Sequence, residues 1–596
     1  MNSIWNKNIQ SFEQRFPSLK ELFQEQIDFI SSASEKDIER LFSFWKIFPA
    51  KNNSLTVEEN NLKLHSSYNP EREALQSINQ PEIQNKNTVV FLGFGLGYQV
   101  VAWAKNLLNQ NQTDKKLILI ESDPLHFFAA LYYLDWQDVF KIQQLVVAVG
   151  CPSNSIMSLL ENSQSINTGS EGVSSAYFFT LPAFTAHDKN YFETVKTLIE
   201  RNKTKNDINS ATYDKFAKLW IKNSFANLKK IKELRTINQI SIEEKNNRFL
   251  LVGAGPSLEK NLFYIKEIQS KITIVCVETA LKALLNAGIS PDFILLTDPQ
   301  YYAFHHIAGL KAPESTLICP ISVYPATFRF KCKEIILCSD LFPISQFYEN
   351  KVNSFGDLGA GGSVASSVWN FCQIMGAEEI YFTGLDLSYP AKETHIRGSS
   401  AEQTFHLISS RIKPVERSSI NSMYSAYPKY GINYKGEKVL TDSKMKMFAW
   451  WFESRIAACP EIKNYSLNAE SLLIPGVEYK EKIEFSENSR KIKISEKKSA
   501  AYTEQLFSET QNQYEKELNH LINCINLAVE KCMINSANLE NELQQIQLQI
   551  QTNQLKEIIN LASPSSKYMD SHKTNPPQLA FYQKLQKEIV KYKSHN

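Results

Sequence analysis

The residues Gly253-Ala254-Gly255-Pro256-Ser257 end the apolar run Phe249-Leu250-Leu251-Val252 and open a helical pattern. A buried parallel strand that turns in this way into a helix offers its N-terminus to an anion, and a nucleotide phosphate is the natural occupant. Gly253 and Gly255 allow a tight turn with no Cβ in the way of a ligand. Pro256 presets the first helical φ, and Ser257 adds a hydroxyl beside the helix's first amides. Further polar residues recur where apolar runs end: Glu278-Thr279, Thr297-Asp298 and Gly384-Leu385-Asp386, with Gly361-Gly362-Ser363 opening another helical pattern. Singly, each reads as a turn glycine or a helix cap. Together they are expected to converge on one crevice, because ligands of open parallel sheets lie beyond the carboxyl ends of the strands.

The elements that must position these residues are legible as alternating strand and helix patterns. Apolar runs near Phe249, Ile272, Phe293, Leu317, Ile335 and Ile380 read as buried strands with helices between several of them, the texture of a parallel sheet. A second unit of the same texture precedes it. There Val89-Val90-Phe91-Leu92 runs into Gly93-Phe94-Gly95-Leu96-Gly97, and the next strand ends in Glu121-Ser122-Asp123. That pattern would hold a ribose in a dinucleotide-type site; the simpler reading is a nucleotide-binding scaffold now used structurally. Beyond Ser486 the chain is nearly free of Gly and Pro, and Leu518, Leu521, Ile522, Ile525, Ala528 and Val529 fall on one helical face.

The expected organisation is an N-terminal helical segment (1–75), a Rossmann-like α/β domain (76–200), a helical connector (201–245), a central Rossmann-like catalytic domain (246–478) and a C-terminal helical domain (479–596). With 65 Lys+Arg against 63 Asp+Glu, the net charge of +2 gives no electrostatic reason to expect nucleic acid or an anionic membrane as partner. The nine cysteines are scattered, with no CxxC pair, as in a reducing compartment. The first residues have no apolar core of signal-peptide type and no apolar run is long enough to span a bilayer, so a cytoplasmic location is expected. The adjacent His305 and His306 read as incidental rather than as a metal site.

Three stretches carry a family resemblance: VGAGPSLEKN, ALLNAGISPDFILLTDPQ and GAGGSVASSVWNFCQIMGAEEIYFTGLDLSY. They resemble the motility accessory factor (Maf) glycosyltransferases, flagellin-modifying enzymes whose catalytic unit is similar to bacterial sialyltransferases that use CMP-activated sugars. The resemblance implies a sialyltransferase-like central domain. It implies transfer of a CMP-activated nonulosonic acid, of pseudaminic or legionaminic type, to Ser or Thr hydroxyls of flagellin, as needed for flagellum assembly and motility. Carried over by motif, Gly253, Gly255, Pro256 and Ser257 face the CMP phosphate. Glu278 or Thr279 and Asp298 lie beside the cytidine or sugar. Gly361, Gly362 and Ser363 contact the donor, Gly384 and Asp386 the ribose region, and Asn468 belongs to the last loop over the nucleotide. Tyr389 fits a tyrosine that bonds the leaving phosphate. Neither a metal nor another cofactor is expected.

The sialyltransferases carry a histidine base shortly before a Thr-Asp pair. Here the pair is Thr441-Asp442, and no histidine precedes it. His395, Glu437 and Asp442 are the candidate bases, since a base need only reach the acceptor hydroxyl with a suitable pKa. Arg397 is a candidate partner for the donor's carboxylate, with a solvated charge as the simpler reading. Two other functions fit the same residues. One is ATP-dependent pyrophosphate transfer to a pterin alcohol, with Asp298 and Asp386 holding Mg²⁺. The other is a catalytically dead flagellin-binding chaperone.

Overall fold

The structure is a computed structural model. It describes residues 3–112, 115–156, 176–242, 247–359, 361–425, 427–485, 490–492, 494–496, 504–534, 538–562 and 578–592. The chain divides into two compact units, Met1–Ile208 and Asn209–Asn596. Both are mixed α/β with a parallel sheet, and the second ends in helices, as the sequence patterns imply.

In the first unit the parallel sheet runs in the order Gln144–Val149, Lys116–Glu121, Thr88–Leu92, Tyr177–Phe179. Its strands are short, apolar and buried on both faces, which is why they show no alternation in the sequence. The N-terminal helices share this unit's core: Trp5, Ile9 and Phe12 of helix Ser3–Arg15 are buried with the residues of the sheet. Asn8 is buried among them and fully used. Its Nδ2 donates to the carbonyls of Leu131 and Leu134, each at 2.7 Å, and its Oδ1 accepts the Trp136 amide at 2.9 Å. Residues 46–63 form a three-stranded antiparallel sheet (Lys46–Pro49, Leu55–Glu59, Leu62–Lys63) within the stretch expected to be helical. Strands this short carry too few residues for a period of two to stand out.

The second unit holds a nine-stranded, wholly parallel sheet. Its order is Val477–Tyr479, Lys463–Ser466, Ala377–Thr383, Asn247–Val252, Thr273–Val277, Phe293–Leu295, Lys311–Cys319, Lys331–Leu337, Arg235–Thr236. From Asn247–Val252 the chain adds strands in one direction as far as Lys331–Leu337, then returns to place Ala377–Thr383 on the other side of Asn247–Val252. The order therefore reverses between Asn247–Val252 and Ala377–Thr383, and the crevice of an open sheet forms at such a switch point. Phe249, Leu250, Leu251 and Val252 are all fully buried at the centre of the core.

The helix Lys189–Asn227 reaches the carboxyl edge of this sheet through two asparagines one turn apart. Asn223 donates to the carbonyls of Pro299 and Ser322, and Asn227 to those of Ile321 and Val323, at 2.8–2.9 Å. The C-terminal helices Glu504–Ile534, Leu539–Thr552, Lys556–Ala562 and Gln578–Ile589 pack onto the rest of this unit. Their apolar faces share one core with Trp220, Ile344, Phe347 and Tyr348. Among the described residues no helix is long and apolar enough to cross a membrane.

Candidate functional site

At the switch point the two glycine turns lock together. The Gly253 amide donates to the Thr383 carbonyl and the Gly255 amide to the Gly384 carbonyl, both at 2.8 Å. A Cβ on Gly253 would lie 2.4 Å from the Gly384 oxygen, and one on Gly255 would lie 2.3 Å from Oδ2 of Asp386. The space that these glycines leave open is thus filled by the opposing turn. Asp386 sits buried at the mouth of the helix Leu258–Ile268, where an anion is expected. Its Oδ2 accepts the Ser257 amide at 3.0 Å and its Oδ1 accepts the Ser471 hydroxyl at 2.6 Å. Burial raises its pKa against these hydrogen bonds. The amides of Leu258 and Glu259 donate to the carbonyls of Gly255 and Pro256. A ligand phosphate at this helix end would compete with the chain's own carboxylate for the Ser257 amide.

Glu278 follows the next strand and begins the helix Glu278–Asn286, with Thr279 beside it and half-buried. The Glu278 side chain is buried and its Oε2 has no partner among the described residues. Burial pushes its pKa up to about 8; its own backbone amide opposes the shift and the nearby charge of Asp298 adds to it. This carboxyl therefore holds its proton at neutral pH. A strongly perturbed carboxyl at a strand end is typical of a functional group. Asp298 is half-buried, and its Oδ1 caps the following turn through the Gln300 amide at 2.9 Å.

The segment after Asp386 covers the glycine turn. The Ile396 amide donates to the Ala254 carbonyl at 2.9 Å, which seats His395 beside that turn. Burial lowers the His395 pKa, so the imidazole is neutral, and its Nδ1 has no partner among the described residues. Tyr389 and Asp442 meet each other: the hydroxyl donates to Oδ2 at 2.7 Å. Burial and the Asp442 carboxylate raise the tyrosine's pKa. Oδ1 of Asp442 caps the helix Ser443–Ala458 through the Met445 amide at 2.7 Å. Glu437 lies exposed at the tip of the hairpin formed by Pro428–Ile432 and Lys438–Asp442, bonded to Asn433.

Other residues singled out in the sequence sit as follows. Gly361 packs against Ser366 and Trp451, and Gly362 has φ +76. Ser363 caps the helix Val364–Ile374 through the Ala365 amide. Asn468 is buried and accepts from Nδ2 of Asn261 at 2.8 Å; the same nitrogen donates to the Thr383 hydroxyl. Arg397 is exposed and paired with Glu393 and Glu259. The site thus brings together Gly253, Gly255, Ser257, Gly384 and Asp386, with His395 tied to the same turn. Glu437 stands apart from them. Ser471, in the closing segment Asn468-Ala469-Glu470-Ser471 that resembles the family's last loop, serves Asp386; sequence reading missed Asn261, which serves Asn468, because an asparagine within a helix gives no signal of its own.

The glycine turn of the first unit is packed by protein. A Cβ on Gly93 would lie 2.4 Å from the Phe184 carbonyl oxygen, and one on Gly97 would lie 2.2 Å from the Trp136 ring. The Leu96 amide donates to Nε2 of His65 at 2.9 Å, and Trp136 donates to the Leu96 carbonyl. Burial holds His65 neutral, lowering its pKa to about 3. These contacts match the structural reading of that turn.

Fold and site define an open parallel α/β protein with its polar strand-end residues gathered at a switch point. Residues 47–146 match the family model of the glycosyltransferase Maf N-terminal domain. Residues 222–392 match that of the 6-hydroxymethylpterin diphosphokinase MptE-like family. The structure of a Maf glycosyltransferase from Magnetospirillum magneticum AMB-1 shares the fold over 99% of this chain and 95% of its own, with a TM-score of 0.54 at 13% identity. An uncharacterised protein of Treponema pallidum (strain Nichols) is 32% identical over 224 residues, 33% of this chain and 57% of its own length. Another from the same organism is 23% identical over 269 residues, 44% of this chain and 85% of its own length. The chain thus matches little more than half of the first of these relatives. Residues 47–146 thus resemble the N-terminal domain of Maf glycosyltransferases, and the chain shares the fold of one of them.

Proposed function

We propose that the chain transfers a nonulosonic acid, of pseudaminic or legionaminic type, from its CMP-activated donor to Ser or Thr hydroxyls of flagellin in the cytoplasm. The observation that carries this reading is a pair of titratable groups with unpartnered atoms at one sheet edge, the buried Glu278 and the half-buried His395. In such a transfer the bond from the anomeric carbon to the CMP phosphate breaks and a bond to the acceptor oxygen forms. The acceptor's proton goes to a base, and charge develops on the departing phosphate. A neutral imidazole with a free nitrogen suits the first task. A carboxyl that keeps its proton at neutral pH suits the second, as a donor to the departing phosphate or to the sugar. Asp386, fixed by Ser257 and Ser471, presents a carboxylate where a ribose hydroxyl would bind.

A protein acceptor also fits the segment between Asp386 and Asp442 together with the helix Tyr301–Ile307 packed against it. The helices Tyr301–Ile307, Ser400–Leu407 and Val415–Tyr424 pack in succession. Together with their flanks they expose Tyr302, Leu407, Ile412, Tyr424, Tyr427 and Tyr430 to solvent. Contiguous exposed apolar side chains mark interaction surfaces.

The test is intact-mass spectrometry of flagellin incubated with the purified chain and a CMP-nonulosonic acid. A mass increase of one nine-carbon acidic sugar per modified hydroxyl supports the proposal. The match of residues 222–392 favours a second reading, diphosphate transfer from ATP to a pterin alcohol. Consumption of ATP that stops in EDTA, with flagellin left unmodified, would select that reading instead.

A further inference from the structure

A cluster of ionisable side chains lies in the first unit, remote in function from the crevice described above. Glu59 ends the strand Leu55–Glu59, His126 lies on the helix Pro124–Tyr133, and His187 stands just before the helix Lys189–Asn227. One ligand atom from each lies within 4.8 Å of the other two. Side-chain exposure is 9% for Glu59, 8% for His126 and 8% for His187. Two further carboxylates close the cluster. Asp123 Oδ2 is 3.1 Å from Nδ1 of His126, and Glu121 Oε1 is 2.8 Å from Nε2 of His187. Nε2 of His126 is 3.0 Å from Oε1 of Glu59, whose other oxygen accepts from the Trp45 indole at 3.2 Å.

We infer that Glu59, His126 and His187 form a binding site for one divalent transition-metal ion, zinc foremost, with Asp123 and Glu121 holding the two imidazoles. Three arguments converge on this. Imidazole and carboxylate donors together suit zinc and its first-row neighbours, and mixed nitrogen and oxygen sets are common for them. Histidines that bind metal are oriented by a carboxylate on the other ring nitrogen, the role that Asp123 fills for His126. Finally, Glu59 and Glu121, with side-chain exposures of 9% and 2%, set two carboxylates against the two imidazoles with little access to water, and such buried carboxylates require compensating positive charge. Two protons would supply it, but the rings stack with centroids 4.1 Å apart and planes 16° apart, so the two cations would lie face to face. One divalent ion between the donors supplies the same charge without that repulsion. It would also staple the antiparallel strands, the parallel sheet and the start of the long helix to one another.

The full chain, produced without a polyhistidine tag and dialysed against metal-free buffer, tests this by elemental mass spectrometry. About one equivalent of bound zinc, manganese or iron is expected, together with a fall in melting temperature of roughly 5 °C or more on chelation that added Zn²⁺ reverses. His187→Gln should lose both the metal and the response to chelator. Cobalt loading of the unaltered chain covers the case in which that variant does not fold, because visible absorption from low-symmetry Co²⁺ reports nitrogen and oxygen ligation directly. A chain that carries no stoichiometric metal, ignores chelator and gives no cobalt spectrum would overturn the inference and leave a proton-stabilised histidine pair.

Discussion

Gly253 and Gly384 face each other across the switch point so closely that a Cβ on either would lie 2.4 Å from the other's carbonyl oxygen. Backbone meets backbone here, so neither neighbour can move aside as a flexible side chain would. Gly384 also has φ +65, a conformation that side-chain-bearing residues rarely adopt. Gly384→Ala is expected to cost about 3 kcal/mol or more, combining overpacking with backbone strain. Gly309→Ala is the matched control. Gly309 has φ +77 but nothing within 4 Å of a new Cβ, so it carries the strain alone, about 1 kcal/mol. Urea unfolding of both variants decides the point; equal losses would show that the close approach contributes nothing.

Glu278 gives the stability a pH dependence of known sign. Its pKa of about 8 in the folded chain exceeds the ordinary carboxyl value of 4.5, so between these values the folded chain holds a proton that the unfolded chain releases. Stability from this group is therefore present at low pH and declines as pH rises through the window from 4.5 to about 8. Glu278→Gln, which mimics the protonated form, should flatten that decline. It should raise stability at pH 8 relative to the parent by an amount on the order of a few kcal/mol. Melting temperatures of parent and variant across pH 5–8 measure this; parallel curves would refute it.

How much of this site the sequence displays depends on what holds each residue. Buried parallel strands announce themselves as uninterrupted apolar runs, so the Asn247–Val252 and Ala377–Thr383 strands and their glycine ends are legible without coordinates. The occupant of the glycine turn is not. Gly253 and Gly255 read equally well as room for a phosphate or as room for a second turn, and only the pairing of strands far apart in the chain shows Gly384 and Asp386 filling it. The same limit hides the metal-type cluster of the first unit, whose members lie between Glu59 and His187 with no local spacing. Tyr389 and Asp442 were each legible as site candidates, but their bond to one another, across an insertion of helices, was not.

His395 should act through a neutral ring. Burial lowers its pKa below the ordinary histidine value, which favours the neutral ring. Under the proposed reaction, His395→Gln should reduce transfer to flagellin by roughly 10²–10⁴-fold while CMP binding is retained. The parent's rate should hold down to a pH below the ordinary histidine value of 6.5 and fall only under it. A variant with full transferase activity, or with CMP binding lost in equal measure, would remove His395 from the role of base. The first result would turn attention to Asp442, whose carboxylate is occupied by Tyr389 and the Met445 amide.

The C-terminal helices set the last expectation, because their apolar face is also the cover for part of the sheet-bearing unit. Leu521 and Ile525 of helix Glu504–Ile534 are buried in one cluster with Trp220, Phe347 and Tyr348. The Tyr348 hydroxyl donates to the Gln511 side chain, which fixes the register of that helix against Pro343–Glu349. Removing residues 504–596 would therefore uncover several large aromatic side chains at once, and the truncated chain should aggregate rather than persist as a weakened binder. A finer probe separates packing from docking. Leu521→Ala should cost about 2–5 kcal/mol, the range for a fully buried leucine. Leu527→Ala lies on the same helix but is 39% exposed, and should change stability by no more than about 0.5 kcal/mol. If instead Leu527→Ala weakens flagellin binding at unchanged stability, the outer face of this helix takes part in acceptor recognition. If Leu521→Ala leaves unfolding untouched, the helices are not integral to the unit and the truncated chain is the proper object for the binding assay.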